Sequence, residues 1–341
     1  MKSLYDISWQ TTEKQYRKDP ALSYSIIAKY SREGFNNLEH LFDKVESPSL
    51  LFGSVVDTLL TGSEEEFNER FYVGSFPDVK DSERKLVDAL WNSREWPSGI
   101  GLKHVNDTYI IEYSNLTQFQ PNWKPETRAK VIKEHCSGYW KCLQESKGKE
   151  VIDTKLYEDA QRCVSTIKES FGNIISTNPF ENKEVLYQLK FKGEYDGIPL
   201  RIMADIIVVD HDNKMIYPYD LKTTFHKEWD FPESFITWRY MYQASLYWYI
   251  IRQNLDKDDY FKDFTLDDYR FMVISRESCV PLIWKFNGTK NECEYIFGKT
   301  CIPGWRTTVK ELYSYLQHPV KVPEGISLEG DNIIEDYFKD E

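Results

Sequence analysis

The stretch Lys190–Thr224, KFKGEYDGIPLRIMADIIVVDHDNKMIYPYDLKTT, constrains the fold more than any other part of the chain. Its β-branched and aromatic content, cut by turn signals, predicts three consecutive strands. Leu186–Lys192 runs into Gly193–Pro199, where Asp196-Gly197 is a strong hairpin turn. Leu200–Val209 follows and ends at Asp210-His211-Asp212-Asn213, a second turn, before Met215–Leu221 closes the meander. Three polar residues interrupt it: Asp205 within IMADIIVV, and Asp220 and Lys222 on either side of Leu221 in YDLKTT.

Side chains alternate along a strand, so Asp220 and Lys222 share one face and Leu221 takes the other. If the last two strands pair across the Asp212 turn, Asp205 and Asp220 converge from neighbouring strands. Two buried like charges are costly unless a cation joins them, and clustered carboxylates suit Mg²⁺ or Mn²⁺. A plainer reading puts both carboxylates at strand ends facing water, with Lys222 a solvated edge charge. A D-x14-D-x-K spacing taken alone arises often by chance.

Other segments stand in series with this one. The run Asp205…Asp220-Leu221-Lys222 resembles the core of the PD-(D/E)XK nuclease superfamily. Gln243 and Tyr247 in YMYQASLYWYI resemble the Q-x-x-x-Y helix of its RecB-like exonuclease branch. Upstream, LSYSIIAKYSREGF and SPSLLFGSVVDTLLTGSEEEFNERFYV resemble the opening of phage and prophage RecE-type exonucleases. The matches run in order from about residue 22 to about residue 250. Asp57 stands where many relatives carry His; aspartate remains an acceptable ligand for a hard metal.

The resemblance implies an α/β fold with a restriction-endonuclease-like core, a central mixed sheet flanked by helices, elaborated by N-terminal helices and an insertion. It implies two Mg²⁺ or Mn²⁺ ions held by Asp57, Asp205, Asp220 and the carbonyl of Leu221, with Asp205, Asp220 and Lys222 catalytic. Gln243, Tyr247 and Ser25 would hold the substrate backbone. The implied activity is hydrolysis of linear double-stranded DNA from the 5′ end, leaving 3′ overhangs for phage or prophage recombination. A ring-like homo-oligomer and a single-strand annealing partner are implied as well. Two readings compete: a non-catalytic DNA-binding or assembly protein on the same fold, and a structure-specific or restriction-type endonuclease.

The chain has 341 residues with 23 Tyr, 19 Phe and 10 Trp, enough to bury a large core and against a disordered chain. No apolar run is long enough to span a bilayer, and the N-terminus is too polar for a signal peptide, so a cytoplasmic protein is expected, in a bacterial host if phage-encoded. The net charge of −12 opposes nucleic-acid binding over the whole surface and confines DNA contact to a groove. None of the six cysteines forms a C-x-x-C pair, and Cys279, Cys293 and Cys301 are too loosely spaced for a cluster-binding group, so reduced thiols are expected.

Three parts are expected: residues 1–150, an N-terminal helical part with an insertion at about 96–150; the core, 151–318; and an acidic tail, 319–341. Helices are expected at Leu22–Gly34 with Ser23 as N-cap, Leu50–Thr61, Glu83–Arg94, Lys155–Phe171, Phe235–Ile251 and Gly304–Gln317. On the second, Leu51, Val55, Leu59 and Phe52 would face inward, and Gly53 would permit close approach to the sheet. Arg128, Lys130, Lys133 and Lys141, with Tyr139 and Trp140 among them, read either as a DNA-tracking stripe or as a solvated helix over buried aromatics. Related nucleases sometimes carry an acidic residue beside the metals near the position of Glu184, at the first strand, and the resemblance extends that expectation to it.

Overall fold

A computed structural model describes residues 2–43, 45, 47–175, 182–288 and 294–318. In chain order the first helices are α1 (Glu13–Lys18), α2 (Tyr24–Glu33) and α3 (Pro48–Thr61). Next come α4 (Glu64–Arg70), β1 (Phe71–Val73), α5 (Asp81–Asn92), α6 (Asp107–Leu116), α7 (Pro125–His135), α8 (Ser137–Glu145) and β2 (Glu150–Ile152). The long helix α9 (Thr154–Ile175) leads to β3 (Lys183–Tyr195), β4 (Ile198–Asp210) and β5 (Met215–Thr224). The chain continues through α10 (Phe231–Thr237), α11 (Tyr240–Leu255), β6 (Thr265–Leu266), β7 (Tyr269–Ser275) and β8 (Pro281–Phe286). The hairpin β9 (Glu294–Phe297) and β10 (Thr300–Pro303) and the helix α12 (Trp305–Gln317) complete it.

The chain divides into two compact units: Met1–Thr61 with Arg162–Glu341, and Gly62–Gln161. The first is α/β. Its sheet has the order β3-β4-β5-β7-β8, with β6 added alongside β5. The β3–β4–β5 meander is antiparallel, as its turns predict; Asp196 and Gly197 both take positive φ, 55° and 75°, as a two-residue hairpin turn demands. The sheet becomes mixed because β7 lies parallel to β5. A parallel neighbour requires a crossover, and α10 and α11 supply it, which carries α11 across one face of the sheet. On β4, Ile202, Ala204, Ile206, Ile207 and Val209 are all fully buried, as expected of a central strand covered on both faces.

The N-terminal segment is part of this unit rather than a loose leader. Leu4 is fully buried, Trp9 donates its N–H to Lys190 O at 2.7 Å, and the buried Arg201 guanidinium bonds Asp19 O at 2.6 Å. Glu184 belongs to this anchoring, not to a metal site: its carboxylate accepts the Leu4 N–H at 3.1 Å and the Ser3 hydroxyl.

Residues 62–161 form a packed unit of their own, within which the insertion expected at about 96–150 falls. Leu86, Leu90, Ile110, Ile132 and Trp140 are fully buried and pack together, and β1 pairs with β2 in parallel. Of the two readings of the basic residues around Tyr139 and Trp140, the helix over buried aromatics is the one the burial matches. Arg128 and Trp140 are buried, Lys133 pairs with Asp107 at 2.5 Å, and Lys141 pairs with Glu145 at 3.5 Å. The unit boundaries at 61/62 and 161/162 differ from the division drawn at 150/151, and residues 319–341 lie outside the described residues.

Several helix ends moved. Asp153 caps α9, its carboxylate accepting the Leu156 N–H at 2.7 Å. The predicted helix Phe235–Ile251 is two helices broken at Arg239, whose φ is 60°. On α3 the buried apolar residues are Phe52, Val55, Val56 and Leu60; Leu51 and Leu59 are only half-buried.

Candidate active site

The β4–β5 ladder stops at Ile206↔Tyr219. One step further the same register would set Asp205 against Asp220. There the strands stop pairing, and the Leu221 N–H goes to the Asp205 Oδ2 at 2.9 Å, the carboxylate taking the place of the missing ladder partner. Beyond this point β5 pairs with β7 through Thr224. The parting therefore opens on the β4 side alone, in the middle of the sheet.

The side chains at this opening come from several elements: Asp205 from β4, Asp220 and Lys222 from β5, and Gln243 from α11. Asp220, only 1% exposed, accepts a hydrogen bond from the Gln243 side-chain amide on α11, and Lys222 Nζ sits 2.5 Å from its Oδ2. The Lys222 ammonium is thus the cation in contact with the buried Asp220 Oδ2. The Lys222 ammonium also lies over the Tyr240 ring, 4.6 Å from its centre.

Asp57 arrives from the other side of the sheet. Gln243 touches Asp220, so α11 covers the face bearing Asp220 and Lys222. A Cβ on Gly53 would stand 3.0 Å from Thr223 Oγ1, so α3 covers the face of Leu221 and Thr223, as close as Gly53 permits. The Asp57 carboxylate is bridged by Gln188, whose Nε2 lies 2.9 Å and 3.0 Å from its two oxygens. Gln188 is itself strained. It sits within β3 at a φ of 52°, at the point where the β3–β4 ladder skips from Tyr187↔Ile206 to Leu189↔Ala204.

Burial raises the Asp205 carboxyl well above the ordinary carboxylate range, and the charges of Asp220 and Asp57 add to the rise. Burial also raises Asp220, against the opposing pull of Lys222. For Lys222 burial acts downward, but Asp220, Tyr240 and Asp205 outweigh it and hold the ammonium protonated. The site is thus short of positive charge: two carboxylates interact unfavourably, and one lysine is shared between them.

No family model matches the chain, and no curated protein matches it. Among solved structures, a candidate exonuclease from Eubacterium rectale is similar at a TM-score of 0.38 and 13% identity, over 91% of this chain and 83% of that one. Similarity at this level leaves the chemistry to the residues themselves.

The structure thus brings Asp205, Asp220, Lys222 and Gln243 into direct or shared contact, with Leu221 hydrogen-bonded among them. Gln243 differs from expectation in touching Asp220 and not lining an open surface. Tyr247 is buried, its ring edge-on to Tyr269 at 6.0 Å between centres, which places it in the core and not at a substrate surface. Ser25 is exposed in the first turn of α2, its hydroxyl 3.0 Å from that of Ser23. Among the described residues no three His, Cys, Asp or Glu side chains stand close enough to hold a metal ion as they lie. Gln188 and Tyr240 were missed by the sequence reading. Neither carries a local signal, because a glutamine in a strand and a tyrosine opening a helix each suit ordinary packing.

Proposed function

We propose that this protein is a metal-dependent nuclease acting on DNA, and that the opening between β4 and β5 is its active site. The observation that carries the reading is the meeting of Asp205, Asp220 and Lys222 where a central strand pair is broken. A folded protein gains no stability from burying two carboxylates side by side. Their retention is accounted for if a cation completes the site.

The donors fit a hard divalent cation. Asp220 Oδ2 is buried and, among the described residues, neutralised only by Lys222, and Asp205 keeps one oxygen, Oδ1, outside its bond to Leu221. The N–H and C=O of one strand residue leave by the same edge. Since the Leu221 N–H points to Asp205, its carbonyl faces the same opening. Asp57 would join by exchanging Gln188 for the metal. These residues suit Mg²⁺ or Mn²⁺. When bound, a pair of such ions supplies an activated water and stabilises both the attacking and the leaving oxygen of a phosphodiester.

The chain's own groups do the rest. Lys222, held protonated, orients the attacking water and offsets charge developing on the phosphate. Tyr240 fixes the lysine from beneath, and Gln243 fixes Asp220, so neither catalytic side chain must be ordered when substrate arrives. The likeness to the RecB-like and RecE-type enzymes supports the finer reading: an exonuclease on linear duplex DNA, running 5′ to 3′ and leaving 3′ overhangs for recombination, assembled as a ring and working beside an annealing protein.

The test uses end-labelled linear duplex and the same DNA as a covalently closed circle, each with Mg²⁺ and with chelator. Mg²⁺-dependent loss of the linear form alone is the expected result. Cutting of the circle would make the protein an endonuclease, and no cleavage of either form with Mg²⁺ or Mn²⁺ would overturn the nuclease reading.

A further inference from the structure

The segment joining Lys222 to Gln243 exposes three large aromatic rings: Phe225 at 42%, Trp229 at 57% and Trp238 at 48%. Each has a cation over it. Arg276 lies 5.4 Å from the Phe225 ring centre, Lys227 lies 5.8 Å from that of Trp229, and Arg32 lies 5.0 Å from that of Trp238. The chain as a whole carries a net charge of −12, so the pairing of cations with exposed rings here runs against its general character.

Two of the rings, Phe225 and Trp238, lie on either side of Lys222. Phe225 packs on the α3 side, 6.0 Å from Phe52 between ring centres. Trp238 belongs to the opposite side: its carbonyl accepts the Tyr24 hydroxyl at 2.7 Å, and Tyr24 lies 6.3 Å from Tyr240, the ring beneath Lys222. The end of β5 that bears Lys222 therefore runs between them.

We infer that these rings form a stacking platform for an unpaired nucleic-acid strand, so that the site takes single-stranded DNA or a frayed duplex end in preference to a closed duplex. Exposed aromatic faces beside cations match the alternation of base and phosphate along a single strand, whereas a paired duplex offers its base faces only at its ends. The inference rests on the nuclease reading for the role of the bound strand, and not for the binding itself.

Binding is read by fluorescence anisotropy of a labelled oligodeoxythymidylate of about 20 nucleotides, in chelator so that nothing is cut. A hairpin duplex closed at both ends serves as the comparison. The wild type is expected to bind the single strand more tightly than the closed hairpin. The double variant Trp229→Ala/Trp238→Ala is expected to lose roughly tenfold or more in that affinity. The same variant is expected to hydrolyse bis(p-nitrophenyl) phosphate at the wild-type rate, since that small diester needs no platform. Equal single-strand binding by variant and wild type would overturn the inference while leaving the nuclease reading intact. So would loss of binding together with small-diester hydrolysis, which would make the rings structural. A wild type that shows ring-dependent binding but hydrolyses no diester would keep the inference and remove the nuclease reading.

Discussion

The carboxylate of Asp205 accepts the backbone N–H of Leu221 at 2.9 Å, in the position where the next ladder bond between β4 and β5 would have formed. A side chain that replaces a strand partner is held in place by the fold itself. It is also held where burial, Asp220 and Asp57 all resist its ionisation.

Asp205→Asn should therefore stabilise the metal-free protein while ending hydrolysis. The asparagine oxygen still accepts the Leu221 N–H, and the like-charge contact is gone, so a gain of about 1 kcal/mol is expected in urea unfolding. The folded Asp205 carboxyl lies above its unfolded range of roughly 3.9, so the folded state binds the extra proton. Its stabilising share is complete below that unfolded value and is lost as pH rises through the folded one. Metal-free Tm should accordingly fall on going from mildly acid pH toward neutrality, and the slope should flatten in the variant and in Mg²⁺. A variant no more stable than wild type at pH 7 would contradict the buried-charge account.

Lys222→Ala removes the only cation in contact with Asp220 among the described residues. Loss of one partner of a buried pair costs about 3–5 kcal/mol, and added Mg²⁺ should restore part of it. DNA cleavage should drop by roughly 10²–10³-fold and stay low even where circular dichroism shows the fold recovered. Full cleavage by this variant would remove the lysine from the mechanism.

Gln188→Gly makes a paired test of strain. Glycine accepts the positive φ, so stability should hold or rise by about 1 kcal/mol. Asp57 meanwhile loses the amide that bridges both of its oxygens. Cleavage should fall about 10- to 100-fold with a higher Mg²⁺ requirement, read from initial rates across a Mg²⁺ titration. An unchanged Mg²⁺ dependence would detach Asp57 and its glutamine from the metal.

Gly53→Leu should separate α3 from β5. The Cβ alone would stand 3.0 Å from Thr223 Oγ1, so a larger side chain must displace the helix that carries Asp57. Overpacking of this kind costs about 1–3 kcal/mol. Gly53→Ala asks much less, and Thr223→Ala should relieve what remains. A double-mutant cycle on urea midpoints and on cleavage rates would show that coupling, and its absence would mean that α3 does not set the position of Asp57.

The strand content of residues 186–224, the hairpin at Asp196-Gly197 and the close approach at Gly53 were all legible in the sequence. Each follows from short-range chemistry: alternation, turn propensity, or a missing Cβ. The pairing of Asp220 with Lys222 was legible for the same reason, since residues two apart on a strand share a face. Other features were left open or misread where one residue's environment depends on distant ones. The two readings of the basic residues near Tyr139 were not separable locally, since the burial of Arg128 and the pairing of Lys133 with Asp107 depend on distant residues. Tyr247 looked like a substrate contact one turn from Gln243, yet the helix turns its ring toward Tyr269.

The sequence by itself determined which segments become strands and helices and which carboxylates and amine share a strand face, because those properties depend on neighbours within a few residues. Only the tertiary structure decided that β4 and β5 part at Asp205, that Asp57 approaches from the face opposite Gln243, and that Gln188 and Tyr240 hold the set in place. Those facts depend on register and on which helix covers which face of the sheet. Both are fixed by the burial of many side chains together, and no single stretch of the chain records them.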